Sequence, residues 1–413
     1  MKFSPKQNTI IKESVEYLRA GGGGYKIFKG YAGVGKSTCL KEVVKLIPDL
    51  TILVPTHMAK SVILNMLKGI NDNPRVITVT SFLRDCKGTK EDKLAMQINS
   101  AEMAGKDVLV KKLKEAKERM IANGQSQDPV FLDKEIFDVE VHVWCDESSM
   151  ITRDDKNAIV DKSESTVFAG DGFQLPPVVQ HDMWYQDWFY RERHTWMLDQ
   201  VFRNSGDVLS FATHIRNSKT SSKYDIMKHI SDMKLKDVIR VKKSDKVRKK
   251  IVAEGIALLS YYNDDVDSCN FDVRKAMGYQ PNTVLPHEKL YCANNFGNFN
   301  NKDIVGVKIA KNISTDKPFY ATIVDIVRDT ESDTIINPAR MLIDKTQAER
   351  KLLLNVQGLV LRYDYARTVH GAQGSEWGKV LLTGRLPNIE PLQFNRYLYT
   401  AVTRAKTRFG ILI

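Results

Sequence analysis

Short apolar runs alternate with amphipathic helical stretches in the amino-terminal half of the chain. The apolar runs predict strands at Tyr25–Lys29, Thr51–Val54, Val141–Cys145 and Thr166–Ala169. Helical periodicity follows the first two runs and extends to about Lys45 and Leu67. Strands that alternate with helices form parallel sheets, because a helical crossover returns the chain to the same edge. The pattern therefore predicts an α/β domain whose ligand site lies at the carboxyl ends of the strands.

The hydrophobic pattern changes in two later stretches of the chain. Between about Asp85 and Phe131, lysines and acidic residues stand among helix formers without a strand signal, which predicts a helical or irregular insertion. Its lysine-rich face is typical of a solvated helix, and contact with a nucleic-acid strand is the alternative. From about Gln280 to Arg350 the chain is rich in Asn, Asp and Thr and favours strands, and the α/β pattern returns at Gly358.

Together these changes predict two α/β domains, each interrupted by an insertion. The predicted boundaries are 1–84 with 132–200 for the first domain, 85–131 for its insertion, 201–279 with 351–413 for the second domain and 280–350 for its insertion. With 42% hydrophobic and 27% charged residues, the composition is that of a globular protein. The sequence has no apolar run of the roughly 20 residues that span a membrane, nor the apolar core of a signal peptide at its start, so we expect a cytoplasmic protein.

Charge and cysteine content restrict the partners and the chemistry. The formal net charge of +12 favours a polyanionic partner, because basic proteins attract phosphate backbones. The five cysteines are dispersed without the C-x-x-C spacing of a zinc site, and their odd number argues against a disulfide framework. We therefore expect buried, apolar cysteines, as the place of Cys145 within an apolar strand indicates.

A glycine-rich segment, GYAGVGKS at Gly30–Ser37, follows the first predicted strand and matches the pattern G-x-x-x-x-G-K-[ST]. Glycines at this spacing let backbone N–H groups close around phosphates, and the next helix directs its positive end at them. Lys36 is expected to reach the β- and γ-phosphates, and the Ser37 hydroxyl to bind Mg²⁺. The predicted nucleotide-binding residues of this segment are Gly30, Ala32, Gly33, Val34, Gly35, Lys36, Ser37 and Thr38.

Two carboxylates, Asp146 and Glu147, end the apolar strand Val141–Cys145. After a phosphate-binding loop, this arrangement predicts Asp146 as a ligand of the metal and Glu147 as the base that orients the attacking water. The two motifs together predict a nucleoside triphosphatase that uses Mg²⁺. A kinase, a GTPase or a transporter ATPase would fit these two motifs equally well.

Three later segments narrow the choice among these enzymes. They read FAGDGFQLPPV at Phe168–Val178, TVHGAQGSEW at Thr368–Trp377 and LYTAVTRA at Leu398–Ala405. The set and its order along the chain resemble the superfamily 1 helicases, and the resemblance covers almost the whole chain. The form HGAQGSEW is most similar to the RecD-like and phage Dda-like helicases of superfamily 1B, the 5′-to-3′ branch.

The resemblance implies a fold of two RecA-like P-loop motor domains, with a helical or irregular insertion in the first and a small SH3-like β-barrel in the second. It implies an ATP-dependent DNA helicase or translocase that moves 5′-to-3′ on single-stranded DNA and unwinds duplex DNA in replication, recombination or repair. The implied partners are single-stranded DNA, duplex junctions and replication or recombination proteins, with a single chain acting as the motor.

The resemblance also assigns roles at the nucleotide, residue by residue. Gln7 corresponds to the glutamine that reads adenine, and Gln174 corresponds to the sensor of the γ-phosphate. Arg203, in the sequence VFRN, and Arg404 correspond to two arginines that reach the γ-phosphate from the second domain. A guanidinium brought in by domain closure neutralises transition-state charge and couples hydrolysis to movement.

Other segments resemble the motifs with which these helicases hold their ligands. Glu376 corresponds to a motif residue near the ribose, and Gly374 of the same segment is also expected to bind the nucleotide. Hydroxyl groups and helix amino termini are suitable partners for DNA phosphates, although residues of these types also cap helices. The residues expected to contact DNA are Pro55, Thr56, His57, Thr80, Ser81, Phe82, Thr368 and His370.

Two alternative functions stay open on the sequence: an RNA-directed helicase of the same superfamily, and a strand-binding module that uses ATP as a switch without sustained translocation. The hydrolytic set Glu147, Gln174 and Arg404 disfavours the switch. The insertion at 85–131 is expected to hold a strand-separating pin, yet it lacks an aromatic hairpin tip, so the sequence supports translocation more than unwinding. The aromatic cluster Met183–Tyr190 has the helical spacing of core packing, with base stacking as the alternative.

Overall fold

The computed structural model describes residues 3–89, 94–95, 98, 107–122, 129–133, 140–176, 184–192, 195–200, 206–218, 228, 235–241, 250–280, 282–286, 288–294, 296–297, 299, 303–308, 311–312, 318–326, 329–341 and 358–412. The chain divides into two compact units. The first unit comprises Met1–Leu83, Ile136–Ala276 and Tyr365–Ile413, and the second comprises Arg84–Glu135 and Met277–Asp364.

Strands and helices alternate along the first unit, whereas strands dominate the second. The described strands are β1 (Tyr25–Gly30), β2 (Thr51–Val54), β3 (Val76–Thr78), β4 (Arg84–Thr89), β5 (Pro129–Asp133), β6 (Glu140–Cys145), β7 (Ser163–Gly170), β8 (Thr195–Leu198), β9 (Val238–Val241), β10 (Ala257–Ser260), β11 (Thr283–Val284), β12 (Leu290–Cys292), β13 (Ile304–Val307), β14 (Lys311–Asn312), β15 (Phe319–Asp325), β16 (Thr330–Asn337), β17 (Leu359–Tyr363), β18 (Ala366–Thr368), β19 (Trp377–Leu382) and β20 (Ala405–Leu412). The described helices are α1 (Pro5–Ala20), α2 (Lys36–Leu46), α3 (His57–Leu67), α4 (Val79–Leu83), α5 (Asp107–Ala122), α6 (Arg153–Asp161), α7 (Trp184–Arg191), α8 (Gly206–Asn217), α9 (Asn263–Ala276) and α10 (Pro391–Val402). None of these described helices is long and apolar enough to cross a membrane.

The first sheet is parallel throughout its described strands, in the order β3-β2-β6-β7-β1-β8. It contains the four strands that the apolar runs predict, because strands buried on both faces read as continuous apolar runs. β7 lies between β6 and β1. The segments that follow Gly30, Cys145 and Gly170 are therefore neighbours at one edge of the sheet, although they are far apart in the sequence.

The second sheet of the first unit is also parallel, in the order β18-β10-β19-β20-β9. The helices α8 and α10 pack on this sheet and bury a hydrophobic core. The core includes Phe211 of α8, Tyr397 of α10 and Phe409 of β20. Phe173 and Leu175, which follow β7 of the first sheet, are buried in this same core. The predicted α/β fold with two parallel sheets is thus confirmed, and a loop of the first sheet is part of the second sheet's core.

The second unit contains a closed barrel with the strand order β12-β13-β15-β16-β17. Its neighbouring strands are antiparallel, except that β16 and β17 are parallel. A barrel therefore stands where the sequence predicts a β-rich insertion, while its specific likeness to an SH3 barrel stays a prediction. The barrel includes β17, which the sequence analysis places in the second α/β domain. All five residues of β17, LVLRY, are buried, so the run reads like a strand of a parallel sheet.

The same unit contains β4 and β5, which form an antiparallel pair with α5 between them in the sequence. The helix agrees with the predicted helical insertion, but the expectation that this insertion has no strand is wrong. β4 reads RDCKGT, which has neither an apolar run nor a regular alternation of apolar and polar residues. Its pairing is therefore not visible in a pattern that depends on burial.

The described cysteines are free thiols, of which Cys39, Cys145 and Cys292 are buried and Cys269 is half-buried. Burial raises the pKa of Cys39 from 9.0 to about 12, and it also raises the pKa of Cys145. The cause is the loss of hydration, which disfavours a thiolate inside an apolar core. These cysteines act as small apolar core residues, in agreement with the expectation from the sequence.

Cys39 is expected to make the stability of the protein depend on pH. Between pH 9 and about 12 its thiol ionises in the unfolded chain but stays protonated in the folded chain, so the free energy of unfolding falls as the pH rises above 9. Relative to that of Cys39→Ala, the free energy of unfolding of the parent protein is expected to fall by up to about 1.4 kcal/mol per pH unit in this range. Urea unfolding of both proteins from about pH 8 to about pH 10.5 measures this difference. Parallel pH profiles would contradict it.

Candidate active site

The glycine-rich loop joins β1 to α2, and its shape depends on glycine geometry. Gly33 and Gly35 have positive φ angles of 79° and 91°, which residues with side chains rarely adopt. A Cβ atom at Gly30 would lie 2.7 Å from Val34 Cγ2. Gly35 caps α2 without a side-chain hydrogen bond, so the first N–H groups of the helix face the loop. A concave set of N–H groups at a helix amino terminus is an anion site.

Lys36 lies across this loop from the first turn of α2. Its Nζ atom donates hydrogen bonds to the carbonyl oxygens of Gly30 and Tyr31, at 2.8 and 3.1 Å. Ser37 and Thr38 follow in the same turn and are half-buried. The ammonium group adds its charge to the loop's N–H groups, which makes the loop suited to a polyphosphate. The individual phosphate contacts of these residues stay predictions.

Gln7 lies in α1, the helix before β1, and its side chain is buried against the same loop. Its Nε2 atom donates to the Val34 carbonyl at 3.2 Å, and its Oε1 atom accepts from the Ser4 N–H at 3.0 Å. The bond to Ser4 is half of a capping box that begins α1. The structure thus places Gln7 at the loop, while its predicted recognition of adenine stays a prediction.

Asp171, which directly follows β7, connects the loop to the second sheet. Its Oδ2 atom accepts hydrogen bonds from the Ala32 N–H at 3.0 Å and from the Tyr399 hydroxyl at 2.7 Å. Its Oδ1 atom accepts from the Phe173 N–H at 3.0 Å. The Ala32 N–H therefore binds a carboxylate of the protein. The sequence analysis assigned no role to Asp171 or Tyr399, although both lie inside the motifs that it singled out.

The carboxylate pair lies where β6 ends. Asp146 is buried, and its N–H donates to the Leu53 carbonyl at 2.9 Å. Glu147 has a positive φ of 49°, a conformation that costs a non-glycine residue about 1–3 kcal/mol and is typical of functional sites. The Ser148 hydroxyl donates to the Ala169 carbonyl at 3.0 Å and contacts the Tyr185 hydroxyl at 3.2 Å. These bonds hold the strained turn against β7.

Several buried polar atoms in this region have no hydrogen-bond partner among the residues that the structure describes. Oε2 of Glu147 and Oε1 of Gln174 are among them. A buried polar atom without a hydrogen bond costs about 1–3 kcal/mol, so a polar ligand or an ordered water is expected to bind each of them. Gln174 follows β7, the neighbour of β1, and Glu147 follows β6, the next strand beyond β7. Both oxygens accept hydrogen bonds, so the arrangement fits an attacking water near the glycine-rich loop.

The metal site predicted from Ser37 and Asp146 is consistent with Mg²⁺. Within the described ranges, no group of three or more His, Cys, Asp or Glu side chains could hold a metal ion. Mg²⁺ differs from zinc and calcium in that it binds through one or two protein ligands, keeping waters and substrate phosphates as the others. One hydroxyl and one carboxylate are thus sufficient, and the assignment of both residues stays a prediction.

The predicted second-domain arginines have different outcomes. Arg404 is buried, and its guanidinium donates to the carbonyl oxygens of Thr400 and Ser375, both at 3.2 Å. These bonds hold it within the second sheet, and its reach toward a phosphate stays a prediction. Arg203 lies outside the described residues. Glu376 forms an ion pair with Lys406 at 2.9 Å.

Another arginine, Arg216 on α8, contacts the glycine-rich loop. The carbon of its guanidinium lies 3.4 Å from the centroid of the Tyr31 ring. Sequence reasoning missed this residue, because it belongs to none of the motifs and only its position on α8 brings it to the loop.

The predicted DNA-binding residues of the first sheet lie beside β2 and β3. The Thr56 hydroxyl caps α3 by accepting from the Ala59 N–H at 3.1 Å. Thr80 is half-buried and Ser81 is exposed on α4. Pro55 and His57 are half-buried at the start of α3. Phe82, in contrast, is buried among the core residues of the first sheet rather than exposed to a ligand.

The late motif of the second sheet lies against α3. Gly374 has a positive φ of 81°, and a Cβ atom there would lie 3.3 Å from Cβ of Ala59. The structure thus places Gly374 at the helix predicted to hold DNA. Thr368 accepts from the Gly371 N–H at 3.0 Å, and the His370 ring lies 6.3 Å from the Tyr261 ring. The motif that contains Thr368 and His370 therefore approaches α3 at Ala59.

The aromatic cluster of α7 is part of the core. Tyr185 and Phe189 are buried with Ile27, and Trp188 packs edge-on against Phe168 at 5.3 Å. Burial raises the pKa of the Tyr185 hydroxyl well above 10, so it stays protonated and can donate a hydrogen bond. Core packing, the expectation from the helical spacing, is confirmed for these residues.

Family models match most of the chain. Residues 3–244, more than half of the sequence, match a model described as an AAA domain. Residues 363–412 match a model described as a UvrD-like helicase C-terminal domain. None of the curated proteins matches the sequence.

Solved structures with the same fold cover the whole chain. The Pif1 helicase from Candida albicans is 17% identical with a TM-score of 0.53, over 100% of this chain and 94% of its own. A Bacteroides Pif1 helicase in complex with ADP-AlF3 and single-stranded DNA is 14% identical with a TM-score of 0.54, over 100% and 92%. A structure concerning two coordinating Pif1 helicases at forked duplex DNA is 16% identical with a TM-score of 0.56, over 100% and 92%. At these identities the similarity establishes the fold.

Proposed function

Because the chain belongs to the AAA domain family, we propose that it hydrolyses ATP in order to move 5′-to-3′ along single-stranded DNA and to unwind the duplex ahead. The family models and the shared fold support the resemblance to superfamily 1B helicases that the sequence motifs indicate. The observation that carries the proposal is the loop Asp171–Leu175. It follows a strand beside the glycine-rich loop, and it is buried in the core of the second sheet.

The chain's own residues supply the groups that hydrolysis requires. Lys36 and the N–H groups at the start of α2 bind the phosphates, and bound ATP supplies the free energy of the cycle. Ser37 and Asp146 hold Mg²⁺, which neutralises phosphate charge. Glu147 orients the attacking water through a carboxylate oxygen that is buried and ready to accept a hydrogen bond. Gln174 presents a second such oxygen, which accepts a hydrogen bond from the water, while the amide N–H groups of the same side chain are the donors for the γ-phosphate.

Hydrogen bonds from the same region support a coupling of hydrolysis to movement. The Leu175 N–H donates to the Thr400 hydroxyl at 3.1 Å, and Gln373 Nε2 donates to the Leu175 carbonyl at 3.1 Å. Gln373 precedes Gly374, the residue that contacts the α3 helix. A shift between the sheets therefore changes the contacts of the nucleotide loop and of the DNA-facing helix together. Since both sheets come from one chain, a monomer is sufficient for this cycle.

The proposed partners are single-stranded DNA and duplex junctions, and the net charge of +12 supports a polyanionic partner. In this proposal the two motor domains are the parts of the chain that build the two parallel sheets, and β17 belongs to the insertion of the second domain instead of to the domain itself. The second unit, with its barrel and its antiparallel pair, then supplies the insertions of the motor.

Strand unwinding from tailed duplexes tests the proposal. A fluorescent DNA duplex with either a 5′ or a 3′ single-stranded tail is mixed with the protein and ATP, and strand release is followed in time. We expect unwinding from the 5′ tail and none from the 3′ tail. Lys36→Ala, prepared in parallel, is the control for ATP dependence.

Other outcomes of this assay would show which part of the proposal is wrong. Unwinding from the 3′ tail alone would contradict the 5′-to-3′ polarity, but the protein would still be an ATP-driven motor. DNA-stimulated hydrolysis without unwinding would indicate a translocase, and nucleotide binding without stimulated hydrolysis would indicate a switch. A preference for RNA tails would indicate an RNA-directed helicase.

A further inference from the structure

Two adjacent residues of the glycine-rich loop are contacted by helices of the second sheet. The Ala32 N–H lies 3.0 Å from Asp171 Oδ2 and 3.4 Å from the hydroxyl oxygen of Tyr399. The same hydroxyl donates to Asp171 Oδ2 at 2.7 Å. The guanidinium carbon of Arg216 lies 3.4 Å from the centroid of the neighbouring Tyr31 ring. Side chains of α10 and α8 thus reach the loop, one by hydrogen bonds and the other by a cation–π contact.

The Tyr399 side chain is held in the core of the second sheet, and the two helices that carry the contacting side chains are bonded to each other. Tyr399 is buried, and its ring packs edge-on against Phe173 at 5.2 Å. Burial first, and the Asp171 carboxylate second, raise the pKa of Tyr399 well above 10, so its hydroxyl keeps the proton that it donates. Two residues beyond Arg216, the Ser218 carbonyl accepts a hydrogen bond from Asn395 on α10 at 2.5 Å. The two helices that touch the loop are therefore joined to each other.

The Asp171 carboxylate is the shared element of this arrangement. It is buried and accepts three hydrogen bonds, from Ala32 of the loop, from Phe173 of its own turn and from Tyr399 of α10. Movement of α10 away from the first sheet would remove the Tyr399 donor, and a buried carboxylate that loses a donor is costly. The carboxylate would then be free to shift, and with it the Ala32 N–H. The loop geometry is thus sensitive to the position of the second sheet.

We propose that Tyr399 and Arg216 are positioning residues for ATP hydrolysis, which clamp Ala32 and Tyr31 to the second sheet. The clamp makes the shape of the phosphate loop depend on whether the two sheets are closed together. This inference rests on the proposed ATP-driven function. Neither side chain needs to contact the nucleotide, so the clamp acts on the rate of hydrolysis in the DNA-bound enzyme more than on the affinity for ATP.

Tyr399→Phe tests the clamp, because it removes the hydroxyl and leaves the ring in the core. Steady-state hydrolysis is measured with and without single-stranded DNA, as kcat and KM for ATP. We expect kcat with DNA to fall about tenfold or more, the effect of losing one hydrogen bond to a charged group, with KM near the parental value. Tyr397→Phe is the matched control, because Tyr397 is buried on the same helix and its hydroxyl has no hydrogen-bond partner in the described part of the chain.

Arg216 provides an independent variant of the same clamp. Arg216→Ala is expected to lower kcat about threefold to tenfold, the range of a partly desolvated cation–π contact, and Arg216→Lys is expected to restore part of the loss. Since the two side chains hold adjacent residues of one loop, the double variant Tyr399→Phe with Arg216→Ala is expected to lose less than the product of the single losses.

The outcomes separate this inference from the proposed function. If the parent protein shows no DNA-stimulated hydrolysis, the proposed function is wrong. If the parent is stimulated while Tyr399→Phe equals Tyr397→Phe, the clamp is wrong. Single losses that multiply in the double variant would likewise overturn it, as would a rise in KM together with a lower melting temperature in Tyr399→Phe, which indicates a structural fault.

Discussion

Replacing Glu147 by glutamine is expected to lower kcat for ATP hydrolysis by about 10²–10⁴-fold, the range typical of a lost general base. The change keeps the size of the side chain and its hydrogen-bonding capacity but removes the negative charge that accepts a proton from water. The backbone supports the role, because Glu147 adopts a strained φ of 49° at a strand end. ATP binding is expected to persist, since the loop and Lys36 are unchanged.

Single-turnover hydrolysis and binding of a fluorescent ATP analogue measure the two effects of Glu147→Gln separately. The matched control is Glu164→Gln, which makes the same chemical change at an exposed position on the neighbouring strand β7. The control is expected to hydrolyse ATP at the parental rate. Parental hydrolysis by Glu147→Gln would show that another group orients the water.

Replacing Lys36 by alanine is expected to lower kcat/KM by about 10²–10³-fold or more, because a preorganised positive group is lost where transition-state charge develops. The fold is expected to persist. The Lys36 ammonium bonds only to loop carbonyls in the described structure, whereas the loop is also held through Ala32 and Asp171. Both ATP affinity and turnover are expected to fall, in contrast to the result for Glu147→Gln.

Circular dichroism and thermal unfolding of Lys36→Ala distinguish a lost contact from a lost fold, and ATPase kinetics give the size of the effect. Lys45→Ala is the matched control, since Lys45 lies on the same helix α2 and pairs with Glu42 near the surface. Hydrolysis at the parental rate by Lys36→Ala would overturn the assignment of the phosphate site.

The features that the sequence predicts correctly depend on short-range patterns. The strand at Thr51–Val54 has the predicted bounds, because a strand buried on both faces is apolar at each position. The loop after β1 is recognisable because Gly33 and Gly35 need positive φ angles at a fixed spacing. Asp146 and Glu147 are recognisable because they directly follow the apolar strand β6.

The strand that the sequence does not predict has the opposite origin. β4 is not visible in the pattern because its polar sequence carries no sign of pairing, and the pairing with β5 joins residues far apart in the chain. Burial of the Phe82 ring in the core and the proximity of Gly374 to Ala59 are likewise long-range features, and the predicted ligand contacts of both residues stay predictions.

The two α/β domains, the phosphate loop and the pair of carboxylates can be predicted from the sequence, because residues close together in the chain carry the pattern of each. The side chains that connect the two sheets are visible only in the folded chain. Tyr399 and Asp171 are 228 positions apart and meet at 2.7 Å, and Arg216 reaches Tyr31 from another helix. Such contacts depend on strand order and helix packing, and a local pattern of polar and apolar residues does not encode either of them.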